Sequence, residues 1–222
     1  MNAEPITIRV DPERTVSGLW ARPAAASAAL VLAHGAGAAM THKSMVAIAE
    51  GLAQRNIATL RYNFPYMERG SRRPDTPALA HATVRAAVAE AARLAPELPL
   101  FAGGRSFGGR MTSQAQALEP LPGVRGLVFF AFPLHPPGRP GVERAQHLAE
   151  ITVPQLFLQG TNDEFAQFDL LQATVAGLGR AALKLIPGAD HSFHVPAKSG
   201  RKDADVLDEF LDVARDWMLA AV

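Results

Sequence analysis

The sequence predicts an α/β fold in which a mainly parallel sheet of about eight strands carries helices on both faces. Two observations lead to this prediction. Short continuous apolar runs, such as residues 28–33 and 154–160, are typical of strands that are buried on both faces. Segments between these runs repeat apolar residues at helical spacing. This alternation favours parallel strands, because each parallel crossover needs a long connection, usually a helix.

The predicted strands follow one another along the chain, and a turn at Asp11 and Pro12 joins the first two. They cover residues 6–10, 16–21, 28–33, 58–62, 98–103, 124–131, 154–160 and 182–186. Helices are predicted where apolar side chains form one stripe. These stripes are Met45, Ile48, Ala49 and Leu52; Val84, Ala87, Val88 and Ala91; Met111, Ala115 and Leu118; and Val206, Phe210, Ala214, Trp217 and Met218.

The composition indicates one domain over residues 1–222. Hydrophobic residues make up 48% of the chain and charged residues 19%, which is enough apolar material for one core. The net charge of +1 gives no reason to expect nucleic acid or an anionic membrane as a partner.

We expect no metal and no other cofactor. The chain has no cysteine, which excludes disulfides, thiolate metal sites and a cysteine nucleophile. Its histidines lack the spacing of metal ligands with a supporting carboxylate. The first residues show no signal-peptide pattern, and the longest apolar stretch, residues 24–33, is too short to span a bilayer. We therefore expect a cytoplasmic location.

The most informative motif is Gly104-Arg105-Ser106-Phe107-Gly108, directly after the apolar run at 98–103 and before a helical stripe. A serine on a sharp strand-to-helix turn has a strained backbone, and its neighbours two residues away must be nearly free of side chain. Both neighbours here are glycine. The pattern predicts that Ser106 is a nucleophile, whereas the alternative is a plain glycine turn.

A second loop could stabilise the oxyanion that forms when a serine attacks an acyl group. The run at 28–33 ends in His34-Gly35-Ala36-Gly37. Backbone N–H groups of Phe107 and Ala36 are the predicted donors, with Gly37 less favoured than Ala36. We interpret His34 as a residue that holds this loop rather than as a proton carrier.

An acid and a base follow in the order that a serine nucleophile of this kind requires. Asp163 comes after the run at 154–160, and His191 comes after the run at 182–186. His191 would take the serine proton and Asp163 would orient its ring. Glu164 and Asp169 remain alternatives for the acid.

Two further side chains compete for these roles. His194 could replace His191 as the base, although His191 comes first after its strand. Asp190 adjoins His191, but sequence neighbours rarely have the geometry to orient one another's side chains.

Two irregular segments, 63–77 and 133–141, leave the end of the sheet where the motifs lie, and we expect them to wall an open pocket. Arginines are frequent near this end: Arg69, Arg72, Arg73, Arg105 and Arg110. Since guanidinium groups bind carboxylate or phosphate bidentately, Arg72, Arg73 and Arg105 are candidate contacts for a small or anionic substrate. The alternative is a solvated surface with Arg105 pointing away from the site.

The chain resembles the α/β-hydrolase superfamily, and within it the small dienelactone-hydrolase-like enzymes. It is closer still to a branch that includes the testis-expressed protein thirty and the third subunit of the nonspecific lethal complex. The matching residues are 32–37 (LAHGAG), 61–68 (RYNFPYME), 103–110 (GGRSFGGR) and 188–193 (GADHSF). The resemblance implies Ser106, Asp163 and His191 as the catalytic triad. Dienelactone hydrolases proper use a cysteine nucleophile, so this chain departs from them.

Together these features predict a serine hydrolase that cleaves an ester, a thioester or a related acyl bond. The expected partner is a small-molecule acyl substrate, and a homodimer is left open. The alternative is an inactive hydrolase-fold scaffold that binds a protein partner, as members of the resembled branch sit in larger complexes. The intact set of motifs favours catalysis.

Overall fold

A computed structural model describes residues 3–221 and places eight strands in one sheet. The strands are β1 (Glu4–Arg9), β2 (Thr15–Ala21), β3 (Ala28–Ala33), β4 (Ile57–Tyr62), β5 (Leu100–Arg105), β6 (Val124–Phe130), β7 (Gln155–Gly160) and β8 (Ala181–Ile186). Their order across the sheet is β1-β2-β4-β3-β5-β6-β7-β8.

Most of the sheet is parallel. β1 pairs with β2, and β2 with β4, in antiparallel fashion, whereas all pairs from β4 through β3 to β8 are parallel. The carboxyl ends of β3, β5, β7 and β8 therefore lie at the same edge. Ligands of open α/β sheets bind at this edge, and all the candidate motifs lie there.

Within residues 3–221, six α-helices cover the sheet: α1 (Lys43–Gln54), α2 (Pro65–Glu68), α3 (Pro77–Leu94), α4 (Phe107–Leu118), α5 (Phe168–Ala176) and α6 (Asp203–Ala220). Capping side chains or prolines mark the N-termini of several of these helices. The Thr76 hydroxyl caps α3 by accepting from the Leu79 N–H, and Pro77 follows at the first helical position. Short 3₁₀ helices occupy Glu143–Glu150 and Ala197–Ser199.

The side chains of each strand alternate between two apolar layers. Leu30 and Leu32 of β3 pack with α1 and α6 on one face. Val31 and Ala33 of the same strand pack with α3, α4 and α5 on the other. The predicted fold class, with about eight mainly parallel strands and helices on both faces, is confirmed.

Several differences from the sequence-based predictions concern the helices. The short α2 lies inside segment 63–77, which was expected to be irregular, and neither α5 nor the 3₁₀ helix at 143–150 was predicted. Leu118 was assigned to the buried stripe of α4 but is 73% exposed. It is the last residue of that helix, and Leu121 beyond it is buried instead.

Candidate active site

Ser106 occupies a sharp turn between β5 and α4. Its φ of 51° lies in the left-handed region, where a residue with a side chain is strained. The Ser106 N–H donates to the carbonyl of Phe130 at 3.0 Å, which anchors the turn to β6. The turn projects the hydroxyl above the carboxyl edge of the sheet, at the start of a helix.

Two glycines make this turn possible because it lies against the end of β3. A Cβ on Gly104 would lie 2.5 Å from the Ala33 carbonyl oxygen, and one on Gly108 would lie 2.5 Å from the oxygens of both Ala33 and His34. These atoms belong to the backbone, so a side chain could be accommodated only by moving β3. The glycine spacing that the sequence shows around Ser106 therefore has a steric cause.

We expect Gly108→Ala to destabilise the fold by about 3 kcal/mol, the upper end of overpacking costs, because β3 must shift to admit the methyl group. Gly179→Ala is the matched control, since a Cβ there meets nothing within 4 Å. Urea unfolding of both variants measures the difference. Equal stability of Gly108→Ala and the control would contradict the close approach.

The structure brings Ser106, His191 and Asp163 into one hydrogen-bonded chain. The Ser106 hydroxyl lies 2.8 Å from Nε2 of His191. Nδ1 of His191 lies 2.8 Å from Oδ2 of Asp163. Because a carboxylate only accepts, Nδ1 carries the ring proton and Nε2 is free to accept from the serine. The arrangement can remove a proton from Ser106 and stabilise the resulting imidazolium.

Other contacts hold the acid and the ring in place. Asp163 is only 4% exposed, and its carboxylate also accepts from the Phe165 N–H at 2.8 Å and from the side-chain amide of Gln159. The Phe165 ring lies against the His191 ring with 4.2 Å between centroids. No motif in the sequence points to Gln159 or Phe165, although both lie close to Asp163 in the chain.

The alternative acids and base lie elsewhere. Glu164 and Asp169 are exposed. Asp190 accepts from the backbone N–H groups of Ser192 and His194, and so shapes the loop that carries His191. His194 is exposed and pairs with Asp203, which raises the pKa of this histidine. None of them makes a hydrogen bond to Ser106 or His191 among the contacts of residues 3–221.

The two predicted oxyanion donors, Phe107 and Ala36, both line the cavity at Ser106. Phe107 is the first residue of α4, and the first N–H groups of a helix have no acceptor within the helix. His34 holds the neighbouring loop, with Nδ1 lying 2.8 Å from the Gly35 carbonyl oxygen and Nε2 accepting from the Phe64 N–H at 3.0 Å.

The buried ring of His34 makes stability depend on pH. Desolvation lowers the pKa of His34 from 6.5 to about 4. The unfolded chain therefore binds this proton at a higher pH than the folded chain does. As the pH falls from 6.5 to 4, the free energy of unfolding should decrease by about 3 kcal/mol from this group.

Urea unfolding across this pH range tests the assignment. His34→Gln keeps a donor and an acceptor but does not titrate, so its stability should fall less steeply with acid than that of the wild type. Parallel pH profiles for the two proteins would show that His34 is not the group responsible.

The cavity at Ser106 has a volume of about 390 Å³. Both irregular segments contribute to its wall, as expected: Pro74, Asp75 and Pro77 from one and Pro133 from the other. Its remaining lining comes from Ala36, Ser106, Phe107, Arg110, Met111, Arg144 and Phe165.

The prediction that Arg105 contacts substrate requires correction. Its guanidinium donates to the His191 carbonyl at 3.0 Å and lines a different cavity, with Lys43 and Leu207. The side chain of Arg105 leaves the end of β5 away from the cavity at Ser106 and supports the loop that carries the base. The alternative that it points away from the site is the one that the structure matches.

Arg72 and Arg73 are exposed and do not line the cavity at Ser106. Arg73 borders an adjoining hollow that shares Pro74, Asp75 and Pro77 with that cavity. Contacts of these two arginines with substrate therefore stay a prediction. Arg144, to which no motif in the sequence points, lines the cavity instead.

A membrane span and a metal centre are two further kinds of site that residues 3–221 could hold. No helix there is both long and apolar enough to cross a membrane. No group of three or more His, Cys, Asp or Glu side chains in that range is placed to hold a metal ion.

Several solved structures share this architecture. Dienelactone hydrolase from Anabaena variabilis matches with a TM-score of 0.78 at 20% identity, over 99% of this chain and 97% of that one. An alpha-beta serine hydrolase homologue from Coxiella burnetii gives 0.74 at 20% identity, over 99% and 97%. A serine hydrolase without lid from Xanthomonas campestris gives 0.75 at 20% identity, over 98% and 95%.

The resemblance to dienelactone-hydrolase-like proteins is thus confirmed at the level of the fold. A family model described as an alpha/beta hydrolase domain matches residues 26–219, which include six of the eight strands, β3 to β8, in full. On this match the chain belongs to the alpha/beta hydrolase domain family.

Proposed function

We propose that the protein is a serine hydrolase that cleaves an ester, a thioester or a related acyl bond, with Ser106 as nucleophile, His191 as general base and Asp163 as the orienting acid. The observation that carries the proposal is the unbroken chain of hydrogen bonds from the Ser106 hydroxyl to the buried Asp163 carboxylate. The serine hydrolases and the dienelactone hydrolase among the similar structures agree with it.

The reaction divides into two acyl transfers. Ser106 Oγ forms a bond to the acyl carbon while its proton moves to Nε2 of His191. The backbone N–H groups of Phe107 and Ala36 stabilise the oxyanion. When the bond to the leaving group breaks, His191 returns the proton to it. Water then attacks the acyl-serine, giving its proton to His191, and Ser106 is regenerated with release of the acid.

The alternative of an inactive scaffold gains nothing from this geometry. The positive φ of Ser106 and the close approach of Gly108 to β3 cost stability, and a scaffold has no use for them. A strained serine hydrogen-bonded to a histidine is instead what acyl transfer requires.

A panel of 4-nitrophenyl esters and acyl thioesters of graded chain length tests the proposal. The native protein should hydrolyse at least one of them with saturation kinetics, and heat-denatured protein should not. Mass spectrometry after an acid quench should show an acyl adduct on the peptide that contains Ser106. Hydrolysis of none of the panel above the denatured control would contradict the proposal.

A further inference from the structure

Two arginines line the cavity at Ser106, and neither is used by the proposed reaction. Arg110 lies on α4 and Arg144 on the 3₁₀ helix at 143–150. Neither guanidinium forms an ion pair with a carboxylate of residues 3–221. Nε of Arg110 is buried and has no hydrogen-bond partner among those residues. Burying a charged donor in this way is costly unless something else pairs with it.

One carboxylate does line the same cavity, but its oxygens are already engaged. Oδ1 of Asp75 accepts from the Arg69 guanidinium at 2.7 Å, and Oδ2 accepts from the Tyr66 N–H at 2.9 Å. The side chain of Asp75 is 1% exposed. Asp75 therefore does not pair with the positive charges that Arg110 and Arg144 bring to the cavity.

The two arginines are held in a defined relation to each other and to Ser106. A hydrogen bond of 2.7 Å between Ser113 Oγ and His147 Nε2 ties α4 to the 3₁₀ helix that carries Arg144. The Arg110 guanidinium packs over the Phe107 ring, 5.8 Å from its centroid. The Arg110 N–H donates to the Ser106 carbonyl at 3.1 Å, which fixes Arg110 in the first turn of α4, directly after the nucleophile turn.

Two histidines near Arg110 have lowered pKa values. Burial, together with the Arg110 charge, lowers the pKa of His147 to about 4. Burial and nearby arginines also lower the pKa of His81. Both histidines are therefore neutral near pH 7, and the cationic groups that remain at the cavity are the two arginines. Desolvation and the like charge of Arg144 lower the pKa of Arg110, but an arginine stays protonated.

We propose that Arg110 and Arg144 bind a carboxylate on the acyl part of the substrate, so that the preferred substrates are esters or thioesters of short dicarboxylic acids. This rests on the proposed hydrolase function. The leaving oxygen must lie beside Nε2 of His191, which protonates it. The arginines lie along α4 and the facing 3₁₀ helix, where the acyl chain would extend. Two guanidinium forks supply the bidentate donors that a carboxylate accepts.

The kinetic test compares mono-(4-nitrophenyl) adipate with the matched ester in which a terminal amide replaces the carboxylate. At low salt the wild type should have a higher kcat/KM for the acid, and added salt should reduce this preference. Replacing Arg110 and Arg144 by Gln should lower the ratio of kcat/KM for the acid to kcat/KM for the amide about 10- to 100-fold. This is the change expected when charge-assisted hydrogen bonds to the carboxylate are lost. Arg139→Gln is the control, because Arg139 is exposed in segment 133–141 and does not line the cavity, so this variant should leave the preference unchanged.

A binding measurement separates this inference from the hydrolase proposal. Adipate is titrated into the Ser106→Ala variant, and changes in NMR chemical shifts measure its binding. This measurement does not require catalytic turnover. Adipate should bind, and adding Arg144→Gln should weaken binding at least tenfold. If the wild type hydrolyses no ester or thioester of the panel but adipate still binds, the hydrolase proposal fails and the anion site formed by Arg110 and Arg144 stands.

Two results would overturn the anion site. One is equal kcat/KM for the acid and the amide at low salt. The other is adipate binding that does not change with Arg144→Gln. Because the Arg110 guanidinium packs on Phe107, the Arg110→Gln variant could fail to fold. In that case Arg144→Gln alone provides the test, since Arg144 is only half-buried.

Discussion

Ser106→Ala is expected to lower kcat for ester hydrolysis by about 10⁵- to 10⁶-fold while leaving the fold intact. Without the hydroxyl no acyl-enzyme can form, and His191 has no nucleophile at 2.8 Å to deprotonate. The residual rate would come from water, substrate binding and the oxyanion donors. Alanine keeps the Cβ and makes no new contact, so the unfolding transition should move little.

Steady-state kinetics on the best ester of the panel measures this loss, and circular dichroism with urea unfolding checks the fold. Ser192→Ala is the matched control, since Ser192 is exposed in the loop that carries His191. Loss of activity in the control, with Ser106→Ala retaining more than about a tenth of the wild-type rate, would reject Ser106 as the nucleophile.

Asp163→Asn should lower kcat by about 10³- to 10⁴-fold, because it changes the tautomer of the His191 ring. Oδ1 of the new amide can still accept from the Phe165 N–H, which places its NH₂ group toward Nδ1 of His191. Nδ1 must then accept, so the ring proton moves to Nε2 and the ring can no longer accept from Ser106. His191→Ala should cost several orders of magnitude, because it removes the base itself.

The controls for this prediction are the competing residues. Asp169→Asn and His194→Ala alter an exposed acid and an exposed histidine that form no hydrogen bond to Ser106 or His191 within residues 3–221. Both variants should keep near wild-type kcat. A dead His194→Ala enzyme together with an active His191→Ala enzyme would reverse the assignment of the base.

The parts of the site that could be predicted from sequence are those that depend on chain order and local geometry. A buried parallel strand ends at a known edge, so Ser106, Asp163 and His191 could be placed at one edge before their distances were known. The flanking glycines could be predicted because the strained turn demands them at fixed offsets. His34 was interpreted as a loop-holding residue, and its two ring nitrogens lie against backbone groups.

The positions of long side chains in the packed protein could not be predicted from the sequence. Arg105 adjoins Ser106 in sequence, yet its guanidinium reaches the His191 carbonyl. Arg144 lies far from every motif and enters the cavity because a 3₁₀ helix packs on α4. That helix has no α-helical stripe, so periodicity gives no signal for it. Leu118 shows the same limit, since its spacing fits the stripe but its helix ends there.

Labelling with a fluorophosphonate probe tests the central claim most directly, because the probe reacts with an activated serine and needs no knowledge of the substrate. The wild type should label stoichiometrically, peptide mapping should place the adduct on Ser106, and His191→Ala should label far more slowly. An unlabelled native protein, or an adduct that maps to Ser44, Ser113 or Ser192, would contradict the account.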